Sequence, residues 1–137
     1  MPYADAAITI RARLIALWTA TPIAVENEPF AIPDPPAPFL HLSVRGGSAT
    51  QASVGAPNAR LIRREGSVRI TLLAPAQSGS RAARKLADSV AALFETQKFS
   101  GVQCRAASIG DIGPFGRDGQ WWQLPIAIPF YFDEALP

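Results

Sequence analysis

Apolar residues near the start of the chain recur at steps of three and four: Ala7, Ile10, Leu14, Leu17 and Trp18. That spacing puts them on one stripe of a helix from about Asp5 to Thr19. Arg11 and Arg13 fall off the centre of the stripe, so one face packs and the other meets water. Thr21-Pro22 ends the helix, because the residue before a proline is pushed out of the α region. A second 3.6-residue pattern, Ala83, Leu86, Ala87, Val90, Leu93 and Phe94, follows Ser80 as N-cap, with Arg81, Arg84, Lys85, Asp88 and Glu95 outward.

Between and after these helices the period falls to two. Leu40, Leu42 and Val44 alternate with His41, Ser43 and Arg45, the mark of a half-buried strand. A short strand is expected around Gln51 to Val54, a turn through "GAPN", and a longer strand from Val68 to Leu73. These connections are too short for crossover helices, so the pairing should be an antiparallel meander. Val102, Cys104 and Ala106 alternate next. The last strand, "QWWQLPIAIPFYF", puts Trp122, Leu124, Ile126, Ile128, Phe130 and Phe132 on one face. Pro125 and Pro129 lack donors toward one edge of it, which places that strand at a sheet margin.

Two segments follow neither period. "PFAIPDPPAPF" carries five prolines between Pro29 and Pro38, and each fixes φ and removes a donor, so an extended connection with polyproline character is expected. "GDIGPFGRDG" spaces glycine every third residue, but so few triplets cannot hold a triple helix, and a mobile loop is expected. "TPIAVENEPF", residues 21 to 30, mixes β-type residues with carboxylates and suits neither a helix nor a plain loop.

Length and composition bound what such a chain can be. At 137 residues a compact chain buries roughly 70% of its unfolded surface, enough for one core and one domain, 1–137. The elements make it α+β: a mostly antiparallel twisted sheet with two amphipathic helices packed on one face. The net charge of +2 is too mild to point to nucleic acid by itself. One cysteine, Cys104, excludes an intramolecular disulfide. Asp5, Arg11 and Arg13 interrupt any signal-peptide core, and no apolar run reaches the roughly 18 residues of a membrane span. The expectation is a soluble protein made in the cytosol, which leaves only within a larger particle and contacts no membrane.

Candidate chemistry is sparse. His41 is the one histidine, so no multi-histidine metal set and no nearby Cys-His pair exists. Cys104 sits on the buried side of its strand and reads as a small apolar packer. Glu26 and Glu28 share a face only if their stretch is extended, and read as a solvated or partner-facing edge. The glycine-rich stretches match neither the phosphate-loop nor the dinucleotide pattern. No enzyme and no cofactor is expected. Arg60, Arg63, Arg64 and Arg69 are the best candidates for a nucleic-acid surface, although Glu65 interrupts them and no aromatic residue interleaves them.

Taken in order, "TPIAVENEPF", "PFL", "QASVG", "RREGSVRITLLAP", "LADSVAALF", "GVQC" and "GQWWQLPIAIPFYFDE" resemble the tail terminator family of long-tailed bacteriophages and gene transfer agents, similar in architecture to the lambda terminator. The resemblance covers nearly the whole chain, and its specificity lies in the ordered set. It implies a six-membered ring at the head-proximal end of the tail tube that stops elongation and offers the head-joining surface. The partners it implies are further copies of the chain, the tube protein, head-tail connector proteins and double-stranded DNA passing through the lumen. A head-completion or neck ring protein is the alternative reading. Within the resemblance, "TPIAVENEPF" is either an interface arm, with Ile23 and Phe30 as anchors and Glu26 and Asn27 setting register, or an edge strand of its own subunit. Arg60, Arg63 and Arg64 are the candidates for the lumen.

Overall fold

The computed structural model of the chain describes the backbone of residues 3–53, 60–110, 113–115 and 121–136. Helix α1 (Tyr3–Leu17) leads into strand β1 (Ile23–Val25). After the proline-rich connection come β2 (Phe39–Ser53) and β3 (Arg60–Pro75). Helix α2 (Ser80–Phe94) follows, then β4 (Lys98–Phe99), β5 (Val102–Cys104), β6 (Ser108–Ile109), β7 (Gly113–Phe115) and β8 (Trp121–Leu136).

The result is an α+β domain. One sheet runs in the order β1-β2-β3-β8-β5-β4, with β6 and β7 also paired to β8. Every pairing is antiparallel except β1 with β2. That parallel pair is joined by the proline-rich connection between Val25 and Phe39.

The alternation read from sequence sets the faces. Leu40 and Leu42 of β2, Val68, Ile70 and Leu72 of β3, and Leu124 through Phe132 of β8 at even positions form one buried cluster with Ala6, Ile10 and Leu14 of α1 and Ala83, Ala87, Val90 and Phe94 of α2. Odd positions of the same strands face the other way. On that face, among the described residues, Phe39 and Leu73 are buried together with Ala24 of β1, with Phe30 and Trp121 half-buried against them.

Several expectations are corrected. β8 lies in the middle of the sheet, not at its margin: it pairs with β3 along its whole length. Pro125 and Pro129 do present their missing donors to one edge, but their carbonyls accept from Gly110 (2.9 Å) and Arg105 (2.8 Å) there. The strands on that edge are therefore three short pieces rather than one long ladder. β2 and β3 are also longer than expected, because β2 runs on through Gly46 and Gly47 with bulges between Gly46 and Ala49 and between Gln51 and Ser53. Residues 113–115, read as part of a loop, form β7, while Val54 and the "GAPN" turn lie outside the described residues.

The first helix differs in its faces. Ala6, Ile10, Leu14 and, just beyond it, Trp18 are buried, while Leu17 is 49% exposed and Ala7 only half-buried. Ile8 and Ile15 also face solvent, so α1 is apolar on both sides rather than amphipathic. Ser80 is the first residue of α2, capped by Gly79 at φ 89° with no side-chain cap. Ala106 is exposed, past the end of β5.

Candidate functional site

The stretch Thr21 to Phe30 is held by its own subunit. Ile23, Ala24 and Val25 pair with Leu40, His41 and Leu42, and flanking bonds run from the Leu40 N–H to the Pro22 carbonyl (3.0 Å) and from the Glu26 N–H to the Leu42 carbonyl (2.9 Å). A turn follows, with the Glu28 N–H on the Val25 carbonyl (3.2 Å) and Asn27 at φ 55°. Asparagine is among the few residues that take that conformation cheaply. Of the four arm candidates, Ile23 packs toward the main core and Phe30 lies 5.1 Å from the Phe39 ring, which meets Trp121 edge-on at 5.1 Å. Within its own subunit the stretch therefore forms an edge strand. Glu26 and Asn27 stay exposed, and Glu28 is tied to Arg11 (3.1 Å).

Phe30, Ile32, Phe39, His41, Leu73 and Trp121 line an open cleft of about 520 Å3 on the sheet face away from the helices. His41 is exposed at its side, as its strand position implied.

The three candidate arginines are not one patch. β3 alternation sends Arg63 to the open face and Arg64 to the helix face. Arg63 makes two bonds to the Asp133 carboxylate (2.9 and 3.1 Å) and lies over the Tyr131 ring at 4.3 Å. Arg64 reaches Glu134 (2.6 Å) and lies 5.8 Å from the Tyr3 ring. The hydrogen bond from Arg63 holds the Asp133 carboxyl below its ordinary range, and the same bond raises Arg63. Glu65, which interrupts the group in sequence, pairs with Arg105 (3.2 Å), whose guanidinium also lies over Tyr131 at 4.9 Å. Arg60 lies at the start of β3, exposed, beside the residues outside the description.

Two surfaces escaped the sequence reading. One is the outward stripe of α1, Ile8, Ala12 and Ile15, whose spacing of four and three was legible opposite the buried stripe. The other is the run Arg81, Arg84 and Lys85 on α2, all exposed, which the sequence offered only as a wet helix face. Among the described residues no group of three or more His, Cys, Asp or Glu could hold a metal ion, and no helix is long and apolar enough to cross a membrane.

The family model described as phage tail terminator protein matches residues 5–130. A solved chain of 22% identity superposes with a TM-score of 0.60 over 95% of this chain and 94% of its own, which shows a shared fold. No curated protein matches.

Proposed function

Since the chain belongs to the phage tail terminator family, and is therefore a structural component of a virion tail, we propose that it forms a ring, six-membered, at the head-proximal end of the tail tube. The match over residues 5–130 carries this reading. It is supported by the amount of apolar surface a lone subunit leaves in water, with Ile8 at 65%, Ile32 at 61%, Leu17 at 49% and Ile15 at 48% exposure.

The mechanism is blocking rather than chemistry. One face of the ring meets the last ring of tube subunits. The other lacks the surface that would accept a further tube subunit and receives the head connector instead. Neighbours in such a ring meet through two different patches whose rotation closes. β1, with Glu26 and Asn27 on its exposed turn, offers an unpaired strand edge for one of them. Ile23 and Phe30 hold that edge in place from behind, so little entropy is lost on docking. The particle is completed in the host cytoplasm, and the terminator ends at the neck.

Duplex DNA passes through the lumen without sequence reading. Arg60, Arg63 and Arg64 are assigned to that path at the β2–β3 hairpin. Because Arg63 is matched by Asp133 on one face of that hairpin and Arg64 by Glu134 on the other, each face is nearly neutral, which lets a polyanion slide where an unmatched cationic surface would retain it. Replacing Asp133 by Asn and Glu134 by Gln should slow genome delivery, measured as DNA release from purified particles; unchanged release would remove these arginines from the lumen.

A direct test adds the purified chain to its cognate tube protein during polymerisation. Tubes capped at one end and arrested in growth support the reading. Tubes that lengthen unaffected, with the chain bound instead to isolated head connectors, would favour the neck ring.

A further inference from the structure

Two surfaces of opposite charge leave one end of the sheet. Residues 22–44 contain three carboxylates, Glu26, Glu28 and Asp34, and no lysine or arginine. All three are exposed, and Ile32 stands among them 61% exposed. Residues 70–87 contain three cations, Arg81, Arg84 and Lys85, and no carboxylate. Within the subunit Glu28 is matched by Arg11 at 3.1 Å and Arg84 lies 5.4 Å from the Trp122 ring. Glu26, Asp34, Arg81 and Lys85 enter no ion pair among the described residues.

Their placement keeps them apart in one chain. β2 begins at Phe39 opposite Leu73, and β3 ends at Pro75 opposite Trp121. The acidic segment enters β2 and the basic helix leaves β3 at that same end. Phe30 and Ile32 lie on the open face, where Phe30 rests on Phe39, while Glu26 and Glu28 turn over the β1 edge toward α1. The start of α2 lies on the helix face, where Arg84 covers Trp122. Among the described residues, Glu26 and Asp34 form no ion pair with Arg81 or Lys85 within the subunit. In a closed head-to-tail ring each protomer presents one to either neighbour.

We infer that the acidic, proline-stiffened segment of one protomer docks on the Arg81–Lys85 face of α2 in the next copy of the chain. Ile32 then enters the open cleft of about 290 Å3 bordered by Pro75, Ser80, Arg84 and Trp122. The inference rests on the ring reading and names the contact that closes the ring. Charge complementarity selects a second copy over a nucleic acid, because a polyanion on α2 would leave the acidic segment facing water and the contact half used. Such a contact steers association and weakens with salt.

Two variants test it, chosen to spare the Arg11–Glu28 pair and the Arg84–Trp122 stack: Glu26→Lys with Asp34→Lys, and Arg81→Glu with Lys85→Glu. All four sites are exposed, and unchanged far-UV circular dichroism confirms each fold. Ring formation is followed by sedimentation velocity of the full chain against concentration and salt. Each variant alone should need about tenfold more protein to assemble. Mixing the two should restore rings with alternating subunits, as should both exchanges in one chain. Variants that assemble like the wild type, or a mixture that stays apart, overturn the contact while leaving the ring intact. Retention of duplex DNA by the wild type, lost in Arg81→Glu/Lys85→Glu with assembly unchanged, overturns it in favour of a nucleic-acid face. A wild-type chain that stays monomeric both in solution and on tube ends overturns the ring reading and the contact together.

Discussion

At Gly66 the sheet leaves no room for a side chain. A Cβ there would overlap the Arg45 carbonyl and the Phe130 ring, so Gly66→Ala should destabilise the fold by about 1–3 kcal/mol, read from denaturant midpoints. Phe130 is fully buried, and truncating it to Ala should cost about 3–5 kcal/mol. Cys104 is 1% exposed, and burial pushes its thiol up to about 11, with Arg13 offsetting part of that. Its folded value lies above the unfolded one of about 8.5, so the stability it supports is complete below that pH and is lost as pH rises toward 11. Removing the thiol with Cys104→Ala should flatten the decline of melting temperature across that window. Asp133 has the opposite sign: Arg63 lowers it, so its contribution is present above the ordinary carboxylate range and lost as pH falls below it. Asp133→Asn should make stability less sensitive to acid, measured by thermal melts below pH 4. At this scale the sequence was a good guide to burial, because alternation on β8 marks every even position from Leu124 to Phe132. It could not show that Arg63 and Arg64 part, since that depends on strand continuity through Gly66.

Elements were legible where a single face is buried. α2 has one apolar stripe and reads cleanly, with Ala83, Ala87, Val90 and Phe94 inside. α1 reads less cleanly, because Ile8 and Ile15 add a second apolar side, and Leu17, in line with the buried stripe, is the last residue of the helix and lies in water. The prolines of β8 marked one edge correctly and its place in the sheet wrongly. Their edge is served by carbonyl acceptors and short strands, an arrangement that depends on tertiary partners no local pattern reports. The outward face of α1 yields a prediction of its own. Ile8→Lys with Ile15→Lys removes exposed apolar surface and should leave the melting temperature nearly unchanged while weakening self-association or tube binding, scored by sedimentation and by pelleting with tubes.

For the whole molecule, the sequence conveyed the fold class, because two helical periods and several alternating strands leave few ways to bury one core. The assembly surfaces were less legible. Phe30 and Ile23 look like free anchors in the sequence, and the β1–β2 register and the Phe30–Phe39–Trp121 stack show the partners they also have within the subunit. What remains outward, Glu26, Asn27, Ile32 and the α1 stripe, is what the proposed ring would cover. The most direct test of the central claim is electron microscopy of particles made when this gene is deleted from its parent genome, scoring tail length and head attachment. The account predicts overlong tubes without heads. Tails of normal length beside unjoined heads would contradict it and move the protein to the neck.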